Sequence, residues 1–179
     1  MKKLSTKILN WYGWKIRNEI NIPKKCVICI APHTSNWDFI WGNLFNKAMN
    51  AKAHFFIKKE WFRFPLGRLM RSLGGIPVDR SKKTSLTDQI AEEFNKHEKF
   101  QLGITPEGTR KYNPDWKKGF YFIAYKANVP IVLATIDYKK KELDYKKIVQ
   151  PSGNYETDII DIKNFYKNVR GKYPERFGI

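Results

Sequence analysis

The segment Cys26-Val27-Ile28-Cys29-Ile30-Ala31 is apolar at every position. Side chains of a strand alternate between two faces, so a strand with no polar position is covered on both. A largely parallel sheet with helices on either side meets that condition, and a strand with one wet face does not. Residues 53–57, 76–78, 100–104 and 131–138 read as further strands of this sheet. Helical periodicity runs between them through 35–50, 60–72, 85–97 and 118–128, and Gly74-Gly75 is a helix stop. Strand and helix alternating without a long linker predict one α/β domain, a mostly parallel sheet flanked by helices. Residues 143–149 read as an edge strand and 158–170 as a last amphipathic helix.

Cys26 and Cys29 both fall in the apolar run. Strand residues three apart point to opposite faces, so neither a disulfide nor a shared metal site is expected. Two free core thiols fit an intracellular location.

Residues 1–20 read as an amphipathic helix in front of a domain at 21–179. Leu4, Ile8 and Trp11 fall at helical spacing, Trp14 flanks them, and Lys2, Lys3, Lys7, Lys15 and Arg17 add positive charge. A basic helix edged with tryptophan suits a lipid headgroup layer. It equally suits a helix packed on the domain with a solvated basic face. No apolar run reaches about 18 residues, so no spanning helix is expected, and no apolar stretch of signal-peptide type follows the start. Lys and Arg number 34 against 17 Asp and Glu, a net charge of +17. That surplus attracts anionic lipid, acidic protein or nucleic acid. A basic nucleic-acid-binding protein would also fit the charge and the 15% aromatic content. The basic residues are dispersed, however, and no nucleic-acid-binding motif is recognised, so no nucleic-acid partner is expected.

Three loops carry reactive side chains. His33-Thr34-Ser35-Asn36-Trp37-Asp38 sits where a strand passes into a helix, the usual place for a site in an open α/β sheet. A histidine leaving the strand can meet substrate, and an aspartate one helical turn on can reach its ring, fix the tautomer and stabilise the imidazolium. His33 then serves as a general base for a substrate hydroxyl, with no serine or cysteine nucleophile needed. The same residues fit a capping box, with Asp38 serving only the helix start and His33 only a turn. Thr105-Pro106-Glu107-Gly108-Thr109-Arg110 follows another strand. Arg110 is suited to a bidentate grip on phosphate, Thr109 adds a donor, and Gly108 lets the backbone come close. A plain surface turn with a solvated arginine also fits. Gly74-Gly75-Ile76-Pro77-Val78-Asp79-Arg80 supplies another arginine, with Asp79 paired locally to Arg80 or Lys82.

Taken in order, these loops resemble the blocks of the 1-acylglycerol-3-phosphate acyltransferase family. The matching stretches are His33 to Asp38, Gly74-Ile76-Arg80, Pro106 to Arg110, and Val129-Pro130-Ile131-Val132. Thr105 stands where the family carries phenylalanine, Leu133 where a second proline often follows, and the spanning helices of many members are missing. The resemblance implies acyl transfer from acyl-CoA or acyl carrier protein to a lysophospholipid hydroxyl such as that of lysophosphatidic acid. The departures leave open an amine or a non-phosphate lipid as acceptor. The resemblance further implies His33 and Asp38 as the catalytic dyad. Arg80, Glu107, Gly108, Thr109 and Arg110 would line the acceptor-phosphate site, and Val129 to Val132 the acyl-donor pocket or the sheet beneath. Neither cofactor nor metal is implied. The aromatic-rich stretch from Trp37 to Phe64 exceeds what one small core takes up, leaving some rings for an acyl groove or a membrane-facing patch. The expected location is peripheral, on the cytoplasmic face of an anionic membrane.

Overall fold

The computed structural model describes residues 2–17, 19–72, 74–78 and 86–179. Seven strands form one sheet: β1 (Lys15–Ile16), β2 (Lys25–Ala31), β3 (Ala53–Lys58), β4 (Gly75–Val78), β5 (Phe100–Ile104), β6 (Ile131–Asp137) and β7 (Glu142–Val149). Their order is β1-β7-β6-β2-β5-β3-β4, and only the β6–β7 pair is antiparallel. Among the described residues, six α-helices accompany them: α1 (Lys2–Trp11), α2 (Trp37–Ala48), α3 (Leu66–Ser72), α4 (Leu86–Lys96), α5 (Gly119–Lys126) and α6 (Tyr155–Tyr166).

β2 lies at the centre, between β5 and β6. Val27, Cys29 and Ala31 face one core with Phe94 of α4, Phe120 of α5 and Ile162 of α6. Cys26 and Ile28 face the other, with Leu9 of α1 and Trp41 and Phe45 of α2. Burial on both faces is the reason the run is apolar throughout. The two thiols lie in different cores, both free, and burial pushes Cys26 up to about 12 and raises Cys29 as well.

The topology sets where the site forms. β2, β5 and β6 run parallel and in register, with Cys29 opposite Ile104 and Ala31 opposite Thr135. The loops that leave them carry His33, Glu107 and Tyr138, and all three emerge at the same rim of the sheet. This is the switch point, with β5 on one side of β2 and β6 on the other.

Three elements differ from the sequence reading. The first helix ends at Trp11 rather than near residue 20, because Gly13 adopts a φ of +76° and its N–H donates to the Asn10 carbonyl. Trp14 is then buried instead of flanking a lipid-facing stripe, and the chain adds the short β1 beside β7. The single helix expected over 60–72 is a 3-10 turn (Lys59–Phe62) followed by α3, since Pro65 cannot continue a hydrogen-bonded ladder. The last helix spans Tyr155–Tyr166, three residues earlier at its start than expected, with the Asn154 side chain accepting from the Thr157 amide. Ser85, expected to open α4, lies outside the described residues.

Phe94 is fully buried and meets the Phe100 ring edge-on at 4.8 Å. Phe94→Ala is expected to cost about 3–5 kcal/mol. Urea titration followed by circular dichroism reads it as a lower midpoint at unchanged slope.

Candidate active site

Asp38 occupies the first turn of α2 and is 3% exposed. Its Oδ2 accepts from the backbone amides of Thr34 and Ser35, each at 2.8 Å, and its Oδ1 accepts from the Tyr138 hydroxyl at 2.7 Å. His33 Nδ1 stands 3.3 Å from the same Oδ2. That is ion-pair range, although the N–H direction misses a hydrogen bond, so a small ring rotation separates contact from bond. The two sequence readings of Asp38 therefore coincide in one side chain. It takes the Ser35 amide as a capping box does, while Ser35 Oγ accepts from the Trp37 amide. It also reaches the imidazole.

Glu107 comes from the loop after β5 and is fully buried. Its Oε1 accepts from the backbone N–H of His33 at 2.6 Å, and its Oε2 has no hydrogen-bond partner among the described residues. Burial pushes its carboxyl up to about 7, helped by the negative charge of Asp38 and opposed by the bond from His33. Glu107 thus lies beneath the cleft and holds the histidine loop, instead of lining an anion site. A carboxylate facing a phosphate would repel it, and a buried carboxylate takes an amide donor.

The loop of Glu107 is braced from below. Asn113 Nδ2 donates to the Glu107 carbonyl at 2.8 Å and Lys117 N to the Pro106 carbonyl at 2.7 Å. Gly108 closes a turn by donating to the Thr105 carbonyl, and Thr109 Oγ1 accepts from the Lys111 amide. Arg110 bridges back to the first loop, donating from Nη1 to Asn36 Oδ1. Arg80 and Asp79 lie outside the described residues. Val129 and Ile131 sit in the core beside β2, and Val132 in the opposite core.

A cleft of about 510 Å³ opens over these loops, lined by His33, Thr105, Gly108, Thr109, Arg110, Lys111 and Arg176. Among the described residues, three cations and no carboxylate line it. Sequence reasoning did not single out Tyr138, Lys111 or Arg176. Tyr138 is signalled only by its place one residue beyond β6, and burial with its bond to Asp38 raises its phenol. No cluster of three or more His, Cys, Asp or Glu fit for a metal ion occurs among the described residues.

The chain also has counterparts among known proteins. The profile of the acyltransferase family matches residues 13–137. The chain belongs to the acyltransferase family. Over 141 residues it is 30% identical to a probable 1-acyl-sn-glycerol-3-phosphate acyltransferase of Mycoplasma pneumoniae, a match covering 75% of this chain and 53% of that relative. The protein of the same description in Mycoplasma genitalium is 27% identical over 154 residues, 80% of this chain and 58% of the relative. The chain thus spans a little over half the length of these curated relatives. Its fold is similar to that of the crystal structure of the 1-acyl-sn-glycerophosphate (LPA) acyltransferase PlsC of Thermotoga maritima. That likeness has a TM-score of 0.65 at 18% identity, over 93% of this chain and 75% of the other.

The raised carboxyl of Glu107 gives stability a pH dependence. Between its ordinary 4.5 and about 7 the folded chain binds this proton more tightly than the unfolded chain, so stability falls as pH rises through that window. Glu107→Gln keeps an oxygen for the His33 amide and removes the titration. Thermal melts of this variant are expected to lose that part of the slope between about pH 4.5 and 7. Glu107→Ala leaves the His33 amide unpaired and is expected to lose about 1–3 kcal/mol near pH 4.5, a deficit that shrinks as pH rises toward 7 and the wild type loses its own proton-linked stability.

Proposed function

We propose that this chain transfers a fatty acyl group from a thioester donor, acyl-CoA or acyl carrier protein, to the hydroxyl of a lysophospholipid such as lysophosphatidic acid. The observation that carries this reading is the placement of His33, its backbone amide on Glu107 and its ring beside Asp38, in a cleft with three cations. A proton on Nδ1, turned toward Asp38, leaves Nε2 free to accept the proton of the acceptor hydroxyl. The acceptor oxygen attacks the thioester carbonyl, the carbon–sulfur bond breaks, and the thiolate leaves with the proton returned by the imidazolium. Asp38 stabilises that imidazolium, and the Tyr138 hydroxyl and two backbone amides keep the carboxylate aimed. Arg110 supplies a planar donor pair suited to the acceptor phosphate.

We further propose that the protein works bound peripherally to the cytoplasmic face of an anionic membrane. Among the described residues no helix is long and apolar enough to cross one. What supports surface binding is the outer face of the α1–α2 pair. α1 packs through Ser5 and Leu9 while Leu4 is 63% and Trp11 82% exposed, with Trp37, Phe39 and Ile40 exposed on α2. Lys2, Lys3 and Lys7 stand exposed on the same helix, ready for anionic headgroups.

Two measurements test these readings. His33→Ala, folded by circular dichroism, is expected to lose roughly 10²–10⁴-fold in acyl transfer to lysophosphatidate, read by mass spectrometry of the product. Undiminished turnover in that variant would refute the base assignment, and wild-type transfer to amine or uncharged acceptors alone would refute the acceptor. Co-sedimentation is expected with vesicles containing anionic phospholipid and not with pure phosphatidylcholine at physiological salt. The double change Leu4→Ser and Trp11→Ser should weaken it severalfold, and binding indifferent to both changes removes the α1 surface from the account.

A further inference from the structure

The cleft has a wall that comes from outside the matched stretch. Residues 167–179 follow α6 and return over the rim where β2, β5 and β6 end. Several bonds fix this segment. The Tyr138 amide donates to the Arg170 carbonyl at 2.8 Å, and the Tyr173 amide donates to Thr34 Oγ1 at 3.2 Å, beside His33 itself. Past the 3-10 turn (Pro174–Arg176), the buried indole N–H of Trp116 donates to the Gly178 carbonyl at 2.7 Å. Arg176 therefore lies between two anchors, and its guanidinium stacks on the Tyr173 ring at 4.3 Å. Its only acidic neighbour among the described residues is Glu175, 3.8 Å away and largely solvated, which binds it weakly.

We propose that Arg176 is a second guanidinium for the acceptor's phosphate, facing Arg110 across the cleft that holds His33. This inference rests on the acyl-transfer reading of the site. Three arguments carry it. Arg176, Arg110 and Lys111 line one cavity without an acidic side chain among the described lining residues, which is an unbalanced charge unless an anion enters. Arg110 already gives one donor to Asn36, so a dianionic headgroup has hydrogen-bond capacity left for a second arginine. Finally, the size of the cleft selects among phosphates. In lysophosphatidate the hydroxyl and the phosphate sit on neighbouring glycerol carbons, so a hydroxyl at His33 leaves the phosphate within the same 510 Å³. The phosphates of coenzyme A are separated from the thioester by the whole pantetheine arm and fall outside it. Stacking on Tyr173 and the two backbone anchors hold the guanidinium in place before substrate arrives, which lowers the ordering cost of binding.

The test is steady-state kinetics of the full chain with lysophosphatidate, and with monoacylglycerol as the uncharged acceptor. Arg176→Ala is expected to raise KM for lysophosphatidate roughly tenfold or more, with kcat changed far less. KM for the acyl donor and turnover of monoacylglycerol should stay at wild-type values, and Arg176→Lys should recover part of the loss. A KM for lysophosphatidate within twofold of wild type, a loss confined to kcat, or a rise in donor KM instead would overturn the proposal. If Arg176→Ala does not fold, Arg176→Gln, which keeps a planar head over Tyr173, carries the same comparison. Wild-type protein inactive on lysophosphatidate would sink the acyl-transfer reading and this inference together. Active wild type with an indifferent Arg176 variant would sink this inference alone.

Discussion

The Asp38 carboxylate is the constraint on which the rim of the sheet depends. A carboxylate this deep in a protein is tolerable only when its lone pairs are used. Here three donors from two segments use them: the amides of Thr34 and Ser35 and the Tyr138 hydroxyl from beyond β6, while the ring of His33 stands 3.3 Å away. The start of α2, the end of β6 and the imidazole are thereby fixed relative to one another through one side chain. The local helix signal and the chemistry are both served by the same oxygens.

Glu107 fixes the other half of the histidine. Asp38 limits where the ring goes, and Glu107 limits where the backbone goes, so His33 is held at two points, from α2 and from the loop after β5. The cost falls unevenly. Asp38 is well partnered, whereas Glu107 keeps one oxygen without a donor and takes up a proton far more readily than a free glutamate. Placing two carboxylates under one loop is unfavourable by charge alone. It is a reasonable cost if, as proposed, His33 is a base whose position must be set before substrate binds.

The centre of the fold was legible because physics leaves few options there. An unbroken apolar run in a strand implies cover on both faces, and β2 has it. The spacing from His33 to Asp38 made contact feasible, since a side chain one turn into a helix points back toward the helix start. The sequence was less informative wherever a partner came from far along the chain. Nothing local in Tyr138 signals a bond to a residue a hundred positions earlier, and Arg176 reads as one more basic residue among many. Glu107 was drawn to the cleft by its neighbours Thr109 and Arg110, when its loop turns it inward onto the His33 amide instead. The N-terminal helix was overextended because Trp14 fits an amphipathic stripe as well as it fits a core. Gly13 was the available signal for its end.

The order of the strands has one more consequence, for solubility. A sheet that is not closed into a barrel leaves two outer strands with backbone groups open to another chain. On one side the outermost strand β4 carries Pro77, which removes a donor from any would-be ladder. On the other, β1 covers only the beginning of β7, and the uncovered part presents Lys146 and Lys147. Proline and lysine at exposed rims discourage strand-to-strand stacking between molecules. Such edges lower the tendency of the sheet to pair with another copy and seed a fibril at high local concentration.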